Sequence, residues 1–284
     1  MPGFRHILCP VDFSDRSKAI RPYIKAYVEK FNAKLTLLNA IEVPPPMGGL
    51  DPSFPVVFDA GTVEPRIKEL LRDYLDLPGA THLTSSGDAA VSIADYARNN
   101  GVDLIMMATH GYGKFRSLLL GSVVSKVLHD VDCAVWTAPH TEDSAFLAHL
   151  ECKEILVAVD PGKGQVDVLH RAAELAVSLG ARVRLVHAVP GAVRIPGETG
   201  GDEFRLFLMG AARDAVDKLQ SDAGTGLEVV LEAGNVGEVV HQAAVEHKAD
   251  LVIMGRGVMH EKLGRLRTES YAIIRRSPCP VLSL

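Results

Sequence analysis

A glycine-rich stretch at 108–122 carries the clearest chemical signal in the chain. It reads ATHGYGKFRSLLLGS, and apolar residues at helical spacing follow it directly, at 123, 124, 127 and 128. Glycines let a backbone approach a ligand closely, and the N–H groups and dipole at a helix start favour an anion. The spacing therefore predicts a phosphate-binding loop, with Ser122 as the N-cap of the following helix. A glycine-rich connection capped by serine, without a ligand, fits the same pattern.

Asp12 is a second candidate, because it follows the first apolar run, ILCPV. A carboxylate at such a place either contacts a ligand or caps the next turn. Other chemistry has less support: the 11 histidines show neither HExxH nor zinc-finger spacing, and no GxSxG motif marks a serine nucleophile. Asp12, His110 and Lys114 are available for catalysis, but no spacing assigns them roles.

Short apolar runs that alternate with helical patterns must position these residues. The runs within residues 1–140 predict strands at 7–11, 35–40, 80–85, 103–108 and 133–138. Several lack polar alternation, which is typical of strands covered on both faces. Alternating strands and helices build an open parallel sheet, which binds ligands at the carboxyl ends of its strands. The fold class is therefore α/β, with function expected just after the first and fourth strands.

The same order of elements occurs twice along the chain. Asp12 matches Asp160, Asp103 matches Asp250 and Cys133 matches Cys279, and the spacing falls only from 148 to 146 residues. A duplication explains so small a drift. We expect two domains, 1–140 and 151–284, each with an open parallel five-stranded sheet flanked by helices, and a linker at about 139–152.

Composition excludes several classes of protein. The chain has 284 residues, 47% of them apolar and 23% charged, with a formal charge of −5. These values disfavour disorder and broad binding to nucleic acid or anionic lipid. No apolar run approaches the roughly 20 residues of a membrane span. The absence of a signal-peptide pattern, together with four cysteines and no CxxC motif, predicts a cytoplasmic protein. Cys152, in the linker, is the cysteine expected to be reactive.

The glycine-rich stretch resembles the signature of the universal stress protein family, Gly-x2-Gly-x9-Gly-Ser/Thr. Here it reads Ala108-x2-Gly111-x9-Gly121-Ser122, with alanine in place of the first glycine. The opening ILCPVDFS, the LLLGSVVSKVL run and the closing SPCPVLSL are also typical of the family. The resemblance implies a tandem UspA-like protein with Rossmann-like domains of the adenine nucleotide alpha hydrolase type. It also implies ATP as the ligand, with or without magnesium, as in many members.

Carried onto this sequence, the family's nucleotide site implies a set of cofactor-binding residues: Pro10, Val11, Asp12, Ala40, Met107, Ala108, His110, Gly111, Gly121, Ser122, Val123 and Val124. Asp12 is implied to lie beside the nucleoside and near a phosphate-bound metal. The backbone of Ala40 reads the adenine edge, and Met107 and Ala108 lie beside the ribose. An alanine at 108 is expected to weaken binding without abolishing it, unless a positive φ is required there.

The second repeat departs from this pattern. Asp160 and Gly255 keep their places, but the loop after Gly255 is about one residue shorter, and Arg267 and Thr268 stand where Gly121 and Ser122 stand in the first repeat. An arginine side chain would crowd a phosphate site built from bare backbone, or replace its donors with a charged fork. We therefore expect nucleotide in the first half and a degenerate second half.

Three functions stay open at this level. The first is a non-catalytic or weakly catalytic, ATP-binding stress-response protein, the second a slow ATPase or nucleotidyl transferase, and the third a scaffold that binds no nucleotide. The partners expected are an adenine nucleotide and unidentified proteins, with neither nucleic acid nor membrane. A homodimer through or beside the last strands is a further expectation. The last strands of the two halves could instead pair within one chain.

Overall fold

Strands and helices alternate along both halves of the chain, as the sequence pattern predicts. The computed structural model describes residues 3–41, 60–110, 120–139, 150–162, 164–193, 201–256 and 265–284. The chain forms two compact units that divide between Val135 and Trp136. Within the described ranges, no helix is long and apolar enough to cross a membrane.

The first half contains five strands and five helices among its described residues. In chain order they are β1 (His6–Pro10), α1 (Asp15–Ala19), α2 (Arg21–Phe31), β2 (Lys34–Ile41), α3 (Ala60–Tyr74), β3 (Thr81–Ser86), α4 (Ala89–Asn99), β4 (Leu104–Met107), α5 (Ser122–Asp130) and β5 (Ala134–Thr137).

The second half repeats this order with one helix after its first strand instead of two. Its described elements are β6 (Glu154–Ala158), α6 (Gln165–Leu179), β7 (Arg182–Val189), a short 3-10 helix (Pro190–Ala192), α7 (Gly201–Asp222), β8 (Glu228–Ala233), α8 (Val236–Glu246), β9 (Leu251–Met254), α9 (Arg265–Arg276) and β10 (Val281–Ser283).

The first strand of each half lies inside its sheet. The strand order is β3-β2-β1-β4-β5 in the first half and β10-β9-β6-β7-β8 in the second. β1 pairs in parallel with β2 and β4, and Ile7 stands beside Leu35 and Leu104. β6 pairs in the same way with β7 and β9. The chain leaves β1 in one direction and later returns on its other side, so the topological switch point lies between β1 and β4, and between β6 and β9 in the second half.

Burial explains why the central strands lack polar alternation. Ile7, Leu8 and Cys9 in β1 are fully buried, as are Leu104 and Ile105 in β4. Helices α4 and α5 cover one face of these strands with a shared apolar cluster. Strands covered on both faces need apolar residues at every position, as these two have.

The helical pattern after β1 is divided between two helices by Pro22. Ser14 caps α1, accepting a hydrogen bond from the Ser17 amide, and Ile20 separates α1 from α2. Pro22 lies in the first turn of α2. Proline is tolerated there because the first N–H groups of a helix have no intrahelical acceptor.

Matched aspartates join the starts of neighbouring strands at the amino-terminal edge of each sheet. The Arg5 amide donates to Asp103 Oδ2 at 2.9 Å and the His6 amide to Asp103 Oδ1 at 3.0 Å. In the second half the Lys153 and Glu154 amides both donate to Asp250 Oδ2, at 2.8 and 2.9 Å. These carboxylates, far from the candidate site, therefore have a structural role.

A buried polar chain crosses the first half beneath α4. The His6 ring contacts the Asn100 carbonyl through Nδ1 at 3.0 Å and the Thr36 hydroxyl through Nε2 at 2.9 Å, and Thr36 contacts the Tyr96 hydroxyl at 3.3 Å. A carbonyl only accepts, so Nδ1 carries the proton and Nε2 accepts from Thr36. Burial lowers the pKa of His6 below its usual 6.5, which keeps this neutral form.

Candidate functional site

The carboxyl end of β1 is fixed from β2. The Val11 amide donates to the Leu38 carbonyl at 2.8 Å. The buried Asn39 side chain donates from Nδ2 to the Val11 carbonyl at 2.7 Å. The sequence analysis did not predict this role for Asn39. The presence of a polar residue inside the apolar run LTLLNA could have indicated it. The chain therefore leaves β1 in a defined direction just before Asp12.

Asp12 caps the turn after β1 and is exposed at the same time. Its Oδ1 accepts hydrogen bonds from the Ser14 amide at 3.0 Å and the Ser14 hydroxyl at 2.7 Å. The Ser14 hydroxyl in turn accepts from the Ser17 amide at 3.1 Å. The turn-capping interpretation is therefore correct for one carboxylate oxygen, and the carboxylate is oriented by Ser14 while it faces solvent.

Phe13 is held in a backbone conformation that few side chains adopt. Its φ is 62°, in the left-handed region, which costs a non-glycine residue on the order of 1 kcal/mol. The ring packs edge-on against Tyr74 with centroids 6.3 Å apart. Tyr74 is itself anchored, since its hydroxyl donates to the Ser17 carbonyl and its carbonyl accepts from Arg21 Nη1 at 3.1 Å. Surrounding packing thus stabilises the strained turn that presents Asp12.

Helix α5 begins beside the end of β4. Gly121, not Ser122, is its N-cap, with φ −56° and ψ 143°, so the prediction that Ser122 caps the helix was wrong. The Gly121 amide donates to the Thr109 carbonyl at 3.1 Å. A Cβ at Gly121 would lie 3.0 Å from that carbonyl oxygen, which explains glycine there. Ser122 is the first helical residue, and its side chain is exposed.

The residues after β4 lie in the same region. Met107 and His110 are buried, and Ala108 is partly exposed. Ala108 is not among the positive-φ residues, so its methyl group introduces no backbone strain. Thr109, which the sequence did not single out, is 1% exposed, and within the described ranges its Oγ1 has no hydrogen-bond partner. Gly111 and Lys114 lie outside the described residues.

The described candidates therefore share one edge of the first sheet. Pro10 ends β1 and is followed by Val11 and Asp12, Ala40 lies near the end of β2, and Met107 ends β4 and is followed by Ala108 and His110. Gly121, Ser122, Val123 and Val124 are joined to this edge through the bond from Gly121 to Thr109. The edge combines an oriented carboxylate with the N-terminus of α5, whose first N–H groups lack intrahelical acceptors. That combination suits a ligand with a polar body and an anionic end.

The second half builds the same strand end with different residues. The Val159 amide donates to the Val186 carbonyl at 3.0 Å. The His187 ring contacts the Val159 carbonyl through Nδ1 at 2.8 Å, so Nδ1 carries the proton. His187 thus takes the place of Asn39. Asp160 is exposed, as Asp12 is.

The start of α9 differs from the start of α5. Helix α9 begins at Arg265, so Arg267 lies within its first turn, whereas the matching Gly121 precedes α5. The loop at 257–264 lies outside the described residues.

Three of the cysteines have raised thiol pKa values, which make them poor nucleophiles. Burial raises the pKa of Cys152 and of Cys279 to about 12. Burial also raises the pKa of Cys9. Nucleophilic cysteines have lowered pKa values, so the reactive thiol predicted at Cys152 is not supported. In the described part of the chain, no group of three or more His, Cys, Asp or Glu side chains could hold a metal ion.

Comparison with known proteins places both halves in one family. The profile of the "Universal stress protein family" matches residues 3–139 and again residues 151–284. The chain belongs to the universal stress protein family. The two matches confirm the tandem arrangement, and the fold class predicted from the sequence is confirmed with it.

Curated members of the universal stress protein family match one half of this chain at a time. "Universal stress protein A homolog 1" of Coxiella burnetii is 29% identical over 140 residues, 47% of this chain and 96% of that protein. "Universal stress protein in QAH/OAS sulfhydrylase 3'region" of Thermus aquaticus is 30% identical over 135 residues, 46% of this chain and 96% of that protein.

A crystal structure of a universal stress protein from Archaeoglobus fulgidus is similar to the chain over both halves. It is 22% identical, with a TM-score of 0.61, and the match covers 98% of this chain and 95% of that one. At this identity the likeness shows the shared fold.

Proposed function

We propose that this tandem universal stress protein binds ATP in its first half, as a stress-response protein whose nucleotide occupancy alters its contacts. The observation that carries the proposal is the seating of α5 on the end of β4. The Gly121 amide bonds to the Thr109 carbonyl, and no Cβ fits at Gly121 without a shift. Close approach of bare backbone at a helix start is what a phosphate group needs.

The strand ends supply a place for the nucleoside. Asp12 is exposed and oriented by Ser14, so its carboxylate can accept hydrogen bonds from ribose hydroxyls or face a phosphate-bound magnesium ion. The backbone near Ala40 lies on the neighbouring strand, where it can read the adenine edge. Ala108 has no positive φ, so we expect its methyl group to weaken the ribose contact without removing it.

Binding is proposed in preference to turnover because of how Asp12 is used. Its Oδ1 accepts two hydrogen bonds from Ser14, so the carboxylate is held as a positioned acceptor for a bound ligand. We also propose domain bounds of 1–140 and 151–284. A cytoplasmic location and a homodimer through or beside the last strands stay predictions from the sequence.

Calorimetric titration of ATP with magnesium tests the proposal in the wild type, Ser122→Glu and Ser122→Gln. Wild type should bind about one ATP per chain. Ser122 is exposed in the first turn of α5, where a carboxylate favours the helix but repels phosphate. Ser122→Glu should therefore stay folded and lose at least about tenfold in affinity, about 1.4 kcal/mol. Ser122→Gln, of the same shape without the charge, should lose less. Undiminished binding by Ser122→Glu, or two equal sites in wild type, would contradict the proposal.

A further inference from the structure

A glutamine side chain lies over the switch point of the second sheet. Gln165 is the first residue of α6, and Gly255 directly follows β9. A Cβ built on Gly255 would lie 3.0 Å from Gln165 Nε2 and 2.9 Å from Val168 Cγ2. Gln165 therefore extends from the β6 side of the switch point to the end of β9.

The backbone of Gly255 does not itself require glycine. Its φ lies outside the range that side chains avoid. The close contacts with Gln165 and Val168 are therefore the reason for glycine at this position. The glycine that matches the family pattern in the second half makes room for a side chain of the same chain.

Gln165 is buried at a cost. It is 7% exposed, and its Oε1 has no hydrogen-bond partner among the residues that the structure describes. A buried acceptor without a donor costs roughly 1–3 kcal/mol. Glutamine also lacks the helix-capping benefit at this position, since α6 begins after Gly164 without a side-chain cap.

The first half has a different pair of residues at the matching positions. Ser17 stands where Gln165 stands, and Ala108 stands where Gly255 stands. Ser17 is buried, and its hydroxyl contacts the Tyr74 hydroxyl at 3.2 Å. The serine side chain has three fewer heavy atoms than that of glutamine, and Ala108 is partly exposed, as Gly255 is. The first half therefore has no side chain of glutamine's length at the matching position.

The rest of the strand-end frame is the same in the two halves. Val11 and Val159 make corresponding backbone bonds, and their carbonyls accept from Asn39 and His187 respectively. The backbone bonds at the strand ends are thus shared, and the halves differ in the side chain from the following helix and in the residue after the fourth strand.

We infer that Gln165 occupies the nucleoside end of the second crevice and excludes a nucleoside from it. This inference rests on the proposed function for the position of the nucleoside. The expected difference in nucleotide binding between the halves then has two causes. One is the altered loop before α9, and the other is the Gln165 side chain that fills the second crevice. Removing the side chain should open a second nucleoside site, even where the phosphate loop is degenerate.

Equilibrium dialysis with radiolabelled adenosine tests the inference, because adenosine needs no phosphate loop. The proteins are wild type, Gln165→Ser, which copies Ser17, and Gln165→Met, which keeps the volume and removes the unpartnered oxygen. Gln165→Ser should bind one more adenosine per chain than wild type. Gln165→Met should show no increment. Circular dichroism and thermal unfolding establish that each variant is folded.

Each outcome decides the inference. No increment in folded Gln165→Ser overturns it, as does an equal increment in Gln165→Met, because volume would then not be the cause. Two adenosines bound by wild type overturn it as well. The increment is counted from whatever wild type binds, so an increment from zero to one supports the inference, and the calorimetric titration with ATP decides the proposed first-half site separately.

Discussion

The two halves of the chain build the same strand ends and then fill the switch point differently. In the first half the short side chains of Ala108 and Ser17 stand at the two matching positions, and in the second half Gln165 lies against Gly255. The half that keeps the family's glycine is thus the half whose crevice is occupied by its own side chain. A glycine in a binding motif indicates free space beside the backbone. Whether a ligand or a side chain of the protein fills that space depends on the residues of the neighbouring helix.

The largest effect is expected where the halves are alike. Asp103→Ala removes the acceptor of the Arg5 and His6 amides, and Asp250→Ala removes that of Lys153 and Glu154. Each variant should lower the free energy of unfolding of its half by about 3 kcal/mol, since charge-assisted bonds are lost. Urea unfolding followed separately for each half measures the cost.

The exposed Asp132 provides the control for this pair. Asp132→Ala should change the free energy of unfolding by less than about 0.5 kcal/mol. Costs that differ by more than about 1 kcal/mol between Asp103→Ala and Asp250→Ala would show that the equivalence of the two aspartates is wrong.

A smaller effect is expected where the halves differ. Gly255→Ala places a methyl group against Gln165 and Val168 and should destabilise the second half by about 2 kcal/mol through overpacking. The reverse change, Ala108→Gly, should cost about 0.5–1 kcal/mol, mainly through chain entropy. In a Gln165→Ser background the cost of Gly255→Ala should fall, because the residues are coupled. A cost that is unchanged in that background would contradict the packing described.

The smallest effect concerns pH and His6, whose counterpart in the second half is Glu154. Burial lowers the pKa of His6 below 6.5 in the folded protein. As pH falls below about 6.5 the unfolded chain binds this proton more readily than the folded one, so stability falls. Urea unfolding at pH 7.5 and 5.5 should show a smaller pH dependence in His6→Gln than in wild type. If the free energy of unfolding depended on pH equally in His6→Gln and in wild type, the protons would be taken up by groups other than His6.

The sequence predicted the elements and their duplication well because both rest on local patterns. Apolar runs predicted the strands of the first half. The repeat of Asp12, Asp103 and Cys133 at nearly constant spacing predicted two similar halves. The helix cap was wrong because a serine beside a glycine gives no indication of which residue first adopts helical dihedrals.

The packing at the switch point was not predictable from the sequence. Gln165 follows a glycine-rich turn and looks like an ordinary surface residue of a helix start. Its burial depends on Gly255, which is 90 residues further along the chain. Asn39 and His187 are different in chemistry, yet both donate to a valine carbonyl, so residue type alone did not identify their shared role.

The buried thiols have a consequence for how this protein reacts with oxidants. Burial raises the pKa of the Cys152 and Cys279 thiols well above that of a free cysteine, so little of either thiol is ionised at pH 7. Peroxides and disulfides are attacked by the thiolate, so the folded chain presents almost no reactive sulfur at these positions. Oxidation of these thiols therefore requires local unfolding. The rate of their oxidation measures how often the surrounding structure opens.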